Sequence, residues 1–278
     1  MFLPGLAINA ATTREQWGLL DAIDGYARAG IRAIAPWRDQ VATAGVAATA
    51  KRLRDSGLGI TSLCRGGMFP AADAAGRKAA IEDNCRAIDD AAALGAPVLV
   101  LVCGGLPPGS RDLAGARTMV ADGIAAIMPR ASAAGIRLAI EPLHPVYAAE
   151  RNCINTLDQA LDLCEKLDPA RAEGLGVIFD VYHLWWDPRL VQAAARANGR
   201  VLGFHISDWL TPTVDQLNDR GMMGDGVIDL PGLARLALST GYDGLAEVEI
   251  FSHRWWREPA EHVVQTCLAR TARLLDEM

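Results

Sequence analysis

Short apolar runs alternate with longer amphipathic stretches along the 278 residues of the chain. The pattern recurs eight times, and each repeat has an apolar run rich in strand formers, a polar or glycine-rich loop and a segment with apolar residues at helical spacing. The eight predicted strands cover residues 6–9, 33–36, 60–64, 98–103, 138–141, 176–180, 202–205 and 245–250. This alternation predicts parallel strands joined by right-handed helical crossovers.

Eight such repeats predict an α/β fold, a (β/α)8 TIM barrel in a single domain over residues 1–278. The length is close to the roughly 250 residues typical of that barrel. No linker, low-complexity segment or block of charge divides the chain. An open, doubly wound sheet is the structural alternative, because alternation alone does not reveal the order of the strands.

Composition narrows the class of protein further. The formal net charge of −6 argues against a non-specific nucleic-acid binder, because such proteins present basic surfaces. None of the six cysteines forms a CxxC pair, which favours the reduced thiols of a cytosolic protein. The N-terminal residues lack the basic segment of a signal peptide, and the longest apolar run, residues 97–103, is too short to span a bilayer. We therefore predict a cytoplasmic protein without nucleic-acid or membrane partners.

Residues able to bind a metal stand at the ends of the last four predicted strands. Glu141 ends strand five, Asp180 ends strand six, His205 ends strand seven, and Glu249 lies near the end of strand eight. In a barrel these ends share one face, so the three carboxylates would repel one another without a cation. We predict that the four residues bind a divalent ion, foremost Mn²⁺, with Mg²⁺, Co²⁺ and Zn²⁺ as alternatives. Each residue alone could equally be a rim ion-pair partner or a hydrogen-bonded core residue.

Strand eight offers two carboxylates for this site. Glu247 and Glu249 point to the same face of the strand, because side chains alternate with a period of two. Glu249 lies nearer the carboxyl end of the strand and therefore nearer the mouth of the barrel. We predict that Glu249 is the ligand and that Glu247 lies one layer lower, where it supports a ligand or pairs with an arginine.

Five motifs resemble the xylose-isomerase-like TIM-barrel family of sugar isomerases and epimerases, which also includes AP-endonuclease-2-type enzymes. The motifs are AIEPL at 139–143, DVYH at 180–183, HISD at 205–208, MGDG at 223–226, and GYDG at 241–244 leading into EVEIF at 247–251. The resemblance covers essentially the whole chain. It implies the same four metal ligands, and it implies that His183, three residues after the aspartate, contacts the substrate.

The resemblance also implies a mechanism. Metal coordination of a carbonyl and a neighbouring hydroxyl oxygen stabilises an enediolate, so the proton on the adjacent carbon can be removed. Glu141 and Glu249 are the predicted catalytic pair that removes and returns this proton. Return to the opposite face gives epimerisation, and return to the neighbouring carbon gives aldose–ketose isomerisation.

Departures from the family pattern limit the reaction. Endonuclease IV of this superfamily uses three zinc ions and additional histidines, whereas the comparable strand ends here carry Cys64 and Cys103. Phosphodiester cleavage is therefore not expected. Ketohexose 3-epimerases carry a substrate-binding Glu and Arg where this chain has Tyr147 and Thr211, which argues against that particular substrate.

Other residues near the strand ends are predicted to bind substrate. Trp185 suits stacking on a sugar ring, but tryptophans in such a loop also favour a subunit interface, and we expect a homodimer or homotetramer. Arg65 suits a carboxylate or phosphate, or an ion pair with a rim acid. His144 lines the mouth or packs its own loop. The complete predicted set is His183, His144, Trp185, Arg65 and Arg220.

The predicted function is a divalent-metal-dependent isomerase or epimerase of a small sugar or keto-sugar. A lyase on the same metal site is the alternative, because dehydration, decarboxylation and cleavage of an oxidised glycoside begin with the same enolisation. A sugar-binding protein without catalysis is a third hypothesis, which turnover by the metal-loaded protein would exclude.

Overall fold

The computed structural model describes residues 5–278, so the expectation about a signal peptide falls partly on residues 1–4, outside the described residues. The strands are β1 (Leu6–Asn9), β2 (Ala33–Ala35), β3 (Gly59–Ile60), β4 (Leu63–Gly67), β5 (Val98–Val102), β6 (Arg137–Ile140), β7 (Leu175–Asp180), β8 (Val201–Ile206), β9 (Asp208–Trp209), β10 (Arg220–Gly221) and β11 (Ala246–Val248). Strands β9 and β10 form a separate antiparallel pair, and the other nine form one sheet.

Helices separate the strands of this sheet. They are α1 (Leu19–Arg28), α2 (Arg38–Ala44), α3 (Val46–Ser56), α4 (Ala74–Leu94), α5 (Leu113–Ala133), α6 (Leu157–Leu167), α7 (Val181–Leu184), α8 (Leu190–Arg196), α9 (Leu230–Ser239) and α10 (Ala260–Asp276). Short 3-10 helices cover Ala10–Thr13, Pro145–Tyr147 and Trp255–Arg257. Within residues 5–278, no helix is long and apolar enough to cross a membrane.

The nine-stranded sheet closes on itself. Its order is β3-β2-β1-β11-β8-β7-β6-β5-β4, and every neighbouring pair is parallel. The two end strands, β3 and β4, are successive parts of one chain segment, and the Cys64 backbone N–H donates to the Pro36 carbonyl at 2.9 Å. The ring is therefore continuous, which confirms the predicted TIM barrel and excludes the open sheet.

The predicted third strand, residues 60–64, is divided into β3 and β4. β3 pairs with β2 on one side, whereas β4 pairs with β5 on the other, and the register shifts between Leu63 and Gly66. Gly67 ends β4 at φ 103, and a Cβ there would lie 2.0 Å from the Val102 carbonyl oxygen. This close approach of two backbones requires glycine. The eighth strand also ends earlier than predicted, at Val248.

Apolar side chains fill both sides of the sheet. The larger core lies between the sheet and the outer helices, and a smaller cluster of Cys64, Val98, Val100, Ala139 and Ile178 packs separately from it. All six cysteines are free, and five of them are buried. The reduced thiols predicted from their spacing are therefore what the fold contains.

Candidate metal centre

The four predicted metal ligands converge at the carboxyl ends of the strands. Glu141 directly follows β6, Asp180 is the last residue of β7, His205 lies in β8, and Glu249 directly follows β11. One ligand atom from each side chain lies within 4.8 Å of the other three, and none of the four residues is more than 6% exposed. Among residues 5–278 this is the only such group, so the structure shows no counterpart of a three-zinc site.

Three of the converging atoms lack a hydrogen-bond partner within the described part of the chain. They are Glu141 Oε1, Asp180 Oδ2 and His205 Nδ1. His205 Nδ1 lies 3.1 Å from Glu141 Oε1 and 4.0 Å from Asp180 Oδ2. Unpaired buried polar atoms cost free energy, and a cation among them removes that cost. The two carboxylate oxygens and the imidazole nitrogen therefore fit a divalent ion.

Burial and mutual charge perturb these groups. Burial raises the pKa of Asp180 and of Glu249, while the nearby Arg220 charge opposes the rise in both. Burial alone would lower the pKa of His205, but the charges of Glu247 and Glu141 outweigh it and raise that pKa well above its usual value. A cluster in which burial shifts the pKa of some groups and neighbouring charges shift the pKa of another is typical of functional sites.

Glu247 lies on the far side of His205 from the other ligands. Its Oε1 is 3.4 Å from His205 Nε2, and it accepts hydrogen bonds from Asn9 Nδ2 at 2.9 Å and Thr61 Oγ1 at 2.7 Å. Trp37 Nε1 in turn donates to Asn9 Oδ1 at 2.6 Å. Glu247 therefore orients the imidazole so that Nδ1 faces the cluster, which places it in the lower layer predicted from the sequence.

Arg220 enters the centre from the β9–β10 pair. Its Nη1 lies 3.0 Å from Glu249 Oε2 and 3.5 Å from Asp180 Oδ2, and its guanidinium carbon is 4.4 Å from the centroid of the Tyr182 ring. The side chain is buried, with 4% of the residue exposed. Arg220 thus offsets part of the negative charge that the carboxylates place in the barrel mouth.

His183 also belongs to the centre. Its Nε2 lies 3.2 Å from Arg220 Nη2 and 3.8 Å from Asp180 Oδ2, and its Nδ1 accepts a hydrogen bond from the His144 backbone N–H at 3.2 Å. Burial, followed by the charge of Arg220, lowers the pKa of His183 well below its usual value. His183 is therefore a neutral imidazole next to the predicted ligands.

Two predicted substrate residues lie further from the ligand atoms. The His144 ring accepts a hydrogen bond from the Val146 backbone N–H, and its centroid is 4.8 Å from that of Trp209. Trp185 is partly buried, and its ring centroid lies 5.8 Å from that of Trp209. Both side chains therefore form an aromatic wall around Trp209, and their contact with substrate stays a prediction.

Arg65 lies on the opposite side of the mouth. It follows Cys64 in β4, and both residues line a cavity of about 430 Å³ together with Trp37 and Met68. Among the described residues its side chain has no ion-pair or hydrogen-bond partner. Asp39 and Asp83 line the same cavity, but they pair with Arg14 and Arg38 and not with Arg65.

Sequence reasoning missed Asn9 and Asp208. Asn9 is fully buried at the end of β1. A polar residue at the end of an otherwise apolar strand is the sequence signal that could have identified it. Asp208 accepts hydrogen bonds from the backbone N–H groups of Trp209, Gly224, Gly226 and Ile228, at 2.9 to 3.1 Å. It fixes the loop that carries Arg220, and the MGDG motif is part of that loop.

Comparison with protein families gives one match over most of the chain. The family model described as xylose isomerase-like TIM barrel matches residues 23–270. This span includes all four predicted ligands as well as Arg65 and Arg220.

Two curated relatives are enzymes. The chain is 28% identical over 165 residues to a 3-dehydroshikimate dehydratase of Pseudomonas aeruginosa, which covers 55% of this chain and 23% of the relative. It is 22% identical over 147 residues to an inosose isomerase of Bacillus subtilis, which covers 51% of this chain and 50% of the relative. The chain thus spans half or less of the length of each of these relatives.

Solved structures match along nearly the whole chain. The crystal structure of protein SMc04130 from Sinorhizobium meliloti is 56% identical, with a TM-score of 0.94 and 98% of each chain covered. The structure of IOLI protein with a binding zinc atom is 19% identical, with a TM-score of 0.83 and the same coverage. A D-psicose 3-epimerase solved in the presence of D-fructose is 18% identical, with a TM-score of 0.78, covering 99% of this chain and 100% of the other. The last two similarities establish the fold.

Proposed function

The chain belongs to the xylose isomerase-like TIM-barrel family, and on this premise we propose that it is a divalent-metal-dependent isomerase or epimerase of a small sugar or keto-sugar. The observation that supports this most is the convergence of four buried ligand atoms, three of which have no hydrogen-bond partner in the described residues. Glu141, Asp180, His205 and Glu249 would hold the ion. When bound, a divalent ion supplies a Lewis acid that makes the proton next to a carbonyl easier to remove.

Glu141 and Glu249 are the proposed proton-transfer pair. One carboxylate removes the proton from the carbon next to the carbonyl, and the other, protonated, returns a proton. Glu249 Oε2 is held by Arg220 Nη1 at 3.0 Å, so its orientation is fixed before substrate binds. Burial raises the pKa of Glu249, which makes it a stronger base when it is ionised.

Neighbouring side chains would bind substrate oxygens and exclude water. His183 is neutral and buried, so its ring can form a hydrogen bond with a substrate hydroxyl group without adding charge to the site. Trp37 and Phe251 pack edge to face with ring centroids 5.4 Å apart, and Phe251 also contacts Trp256. These rings provide an apolar wall, and such a wall strengthens the electrostatic interactions inside the mouth.

Proton exchange in deuterated water tests this proposal. The metal-loaded protein would be screened with ketoses, 3-keto sugars and inososes, and deuterium incorporation at the carbon next to the carbonyl would be followed. We expect incorporation into at least one of these, and a loss of about 10²–10⁴-fold in Glu141→Gln and in Glu249→Gln. Glu261→Gln on the exposed side of α10 is the control for the same change of charge. Absence of exchange with every compound, or undiminished exchange in Glu249→Gln, would contradict the proposal.

A lyase is the second candidate, supported by the similarity to the 3-dehydroshikimate dehydratase. Both reactions begin with removal of the same kind of proton, so the exchange experiment needs product analysis. A product that has the elemental formula of the substrate, apart from the deuterium that it has taken up, supports isomerisation or epimerisation. Loss of water or carbon dioxide from the same substrate supports the lyase.

The metal, the compartment and the assembly stay predictions. Mn²⁺ is the proposed ion, the cytoplasm the proposed compartment, and a homodimer or homotetramer the proposed assembly. Metal analysis of protein purified without added metal tests the first. Fractionation of cells tests the second, and light scattering on the purified chain tests the third.

A further inference from the structure

Two arginines flank the mouth of the barrel without a carboxylate partner. Arg65 follows Cys64 within β4 and is half-buried, yet its side chain forms no ion pair or hydrogen bond with any residue between 5 and 278. Arg151 is also half-buried, and its side chain lies over the face of the Tyr147 ring, at 5.6 Å from guanidinium carbon to centroid, without an ion pair in the same range. A half-buried guanidinium without an anion is costly compared with one that is paired.

Both arginines adjoin the metal centre. Cys64 Sγ accepts a hydrogen bond from Asn9 Nδ2 at 3.6 Å, and the same Nδ2 group contacts Glu247 behind His205. Asn152, next to Arg151, donates to the Glu141 carbonyl oxygen at 2.7 Å. The two chain segments therefore reach the centre from different sides. Arg151 packs on the Tyr147 ring, whose centroid is 5.9 Å from that of His183, and Arg65 lines a cavity with Cys64 and Trp37.

The two positive charges act on one another. Burial is the largest cause that lowers the pKa of Arg65, and the charge of Arg151 comes next. Arg38 also acts on Arg65, but Arg38 is held by both carboxylate oxygens of Asp83, at 2.8 and 3.1 Å. Glu141 is the one carboxylate that acts on Arg65, and its Oε1 faces His205 at 3.1 Å instead. Within residues 5–278, no carboxylate forms an ion pair with the side chain of Arg65 or of Arg151.

A carboxylate fits this place better than a phosphate. Protein phosphate sites use backbone N–H groups at helix starts or in concave loops. Here the N–H of Gly67 already donates to Asn84 Oδ1 at 2.6 Å, and the N–H of Met68 donates to the Val102 carbonyl at 2.9 Å. A guanidinium fork binds carboxylate and phosphate alike, so the occupied N–H groups of Gly67 and Met68 are what favours a carboxylate, and a sugar phosphate is the compound that distinguishes the two.

We propose that the substrate is an acid whose carboxylate is bound by Arg65 and Arg151, while its carbonyl end lies at Glu141, Asp180, His205 and Glu249. This proposal rests on the proposed function and adds the chemical class of the substrate. Keto-sugar acids and oxidised cyclic polyols bearing a carboxylate belong to this class. Neutral sugars lack the group that these arginines would bind.

Matched pairs of neutral and acidic compounds test the proposal on the metal-loaded protein. D-fructose and D-fructuronate form one pair, D-glucose and D-glucuronate another, and each pair differs by a carboxylate in place of a hydroxymethyl group. Binding is measured by calorimetry and proton exchange in deuterated water. We expect the acid of a pair to bind about 10–100-fold more tightly than the neutral compound, the range of a charge-assisted hydrogen bond. D-Fructose 6-phosphate is the third arm, and a preference for it would overturn the carboxylate assignment.

Variants separate this proposal from the proposed function. Arg65→Met and Arg151→Met should each weaken binding of the acid about 10–100-fold and leave the neutral compound within about twofold. Arg65→Lys keeps the positive charge but lacks the planar guanidinium group, and it takes the place of Arg65→Met in this test if that variant does not fold. Arg28→Met at the end of α1 is the control for lost charge. Equal losses for acid and neutral compounds would overturn the proposal while the proposed function holds. Absence of exchange with all compounds would instead contradict the proposed function.

Discussion

Glu247 lies behind His205, and its replacement by glutamine tests whether it positions the metal ligand. Glutamine keeps the shape of the side chain and an oxygen that can accept from Asn9, but it removes the negative charge. The carboxylate oxygen lies 3.4 Å from His205 Nε2. We therefore expect Glu247→Gln to lower metal affinity while the barrel stays folded.

The magnitude follows from this distance. Two unit charges at this separation interact by about 5 kcal/mol at an effective dielectric constant of about 20. A metal-bound imidazole carries only part of a unit charge, and some of the interaction persists as a hydrogen bond to glutamine. Loss of such a partner typically costs about 10–100-fold in metal affinity, or about 1.4–2.7 kcal/mol. We expect Glu247→Gln to fall within this range.

The assay is competition for Mn²⁺ and Zn²⁺ against a chromophoric chelator. Glu261→Gln on the exposed side of α10 provides the same change of charge as a control. The melting temperature of the metal-free protein shows whether the variant is folded. The ¹⁵N shifts of the His205 ring report which nitrogen carries the proton, and a purely structural role would not change them. Metal affinity within twofold of the wild type in a folded variant would refute the positioning role.

Three further predictions concern stability and the charge balance of the site. Asp208→Asn should lower the free energy of unfolding by about 2–4 kcal/mol, because Asp208 Oδ2 accepts two backbone hydrogen bonds that an amide nitrogen cannot accept. Urea denaturation measures this, and an unchanged midpoint would contradict it. Arg220→Met should destabilise the metal-free protein by about 3–5 kcal/mol, since it leaves Glu249 and Asp180 without their cation. Calorimetry should also show that this variant gains more melting temperature from added metal than the wild type does, and an equal gain would count against the charge balance described. In the wild type, a divalent ion at 100 times its dissociation constant should add about 2.7 kcal/mol to the free energy of unfolding, whereas no change in melting temperature with Mn²⁺, Mg²⁺, Co²⁺ or Zn²⁺ would argue against the metal centre.

Much of the fold and the convergence of the four candidate ligands could be predicted because both depend on local periodicity. Apolar runs separated by amphipathic helices identify parallel strands, and the carboxyl ends of parallel strands meet at one face. Glu141, Asp180 and His205 each occupy such an end, so their convergence required no knowledge of distant contacts. The choice of Glu249 over Glu247 also followed from depth along one strand.

The contacts that close the ring could not be predicted in this way. Asn9 and Glu247 are 238 positions apart, and Thr61 and Glu247 are 186 positions apart. They meet because β1 pairs with β11, which depends on closure of the whole barrel. The break in the third strand likewise depends on a register shift between neighbours. Arg220 reaches the centre through an irregular loop, and no periodic pattern gives the path of such a loop.

The division of the site between the two halves of the barrel has a consequence for how such proteins diversify. All four predicted metal ligands come from residues 141–249, whereas Trp37, Cys64 and Arg65 come from the first strands. If the proposed function holds, a gene encoding this chain can accumulate changes at the ends of β2 and β4 that alter which molecule is accepted, while the proposed proton-transfer pair is inherited intact. Libraries randomised at residues 65 and 68, which leave Gly67 and the Trp37–Asn9 hydrogen bond intact, should yield new specificities more often than inactive proteins.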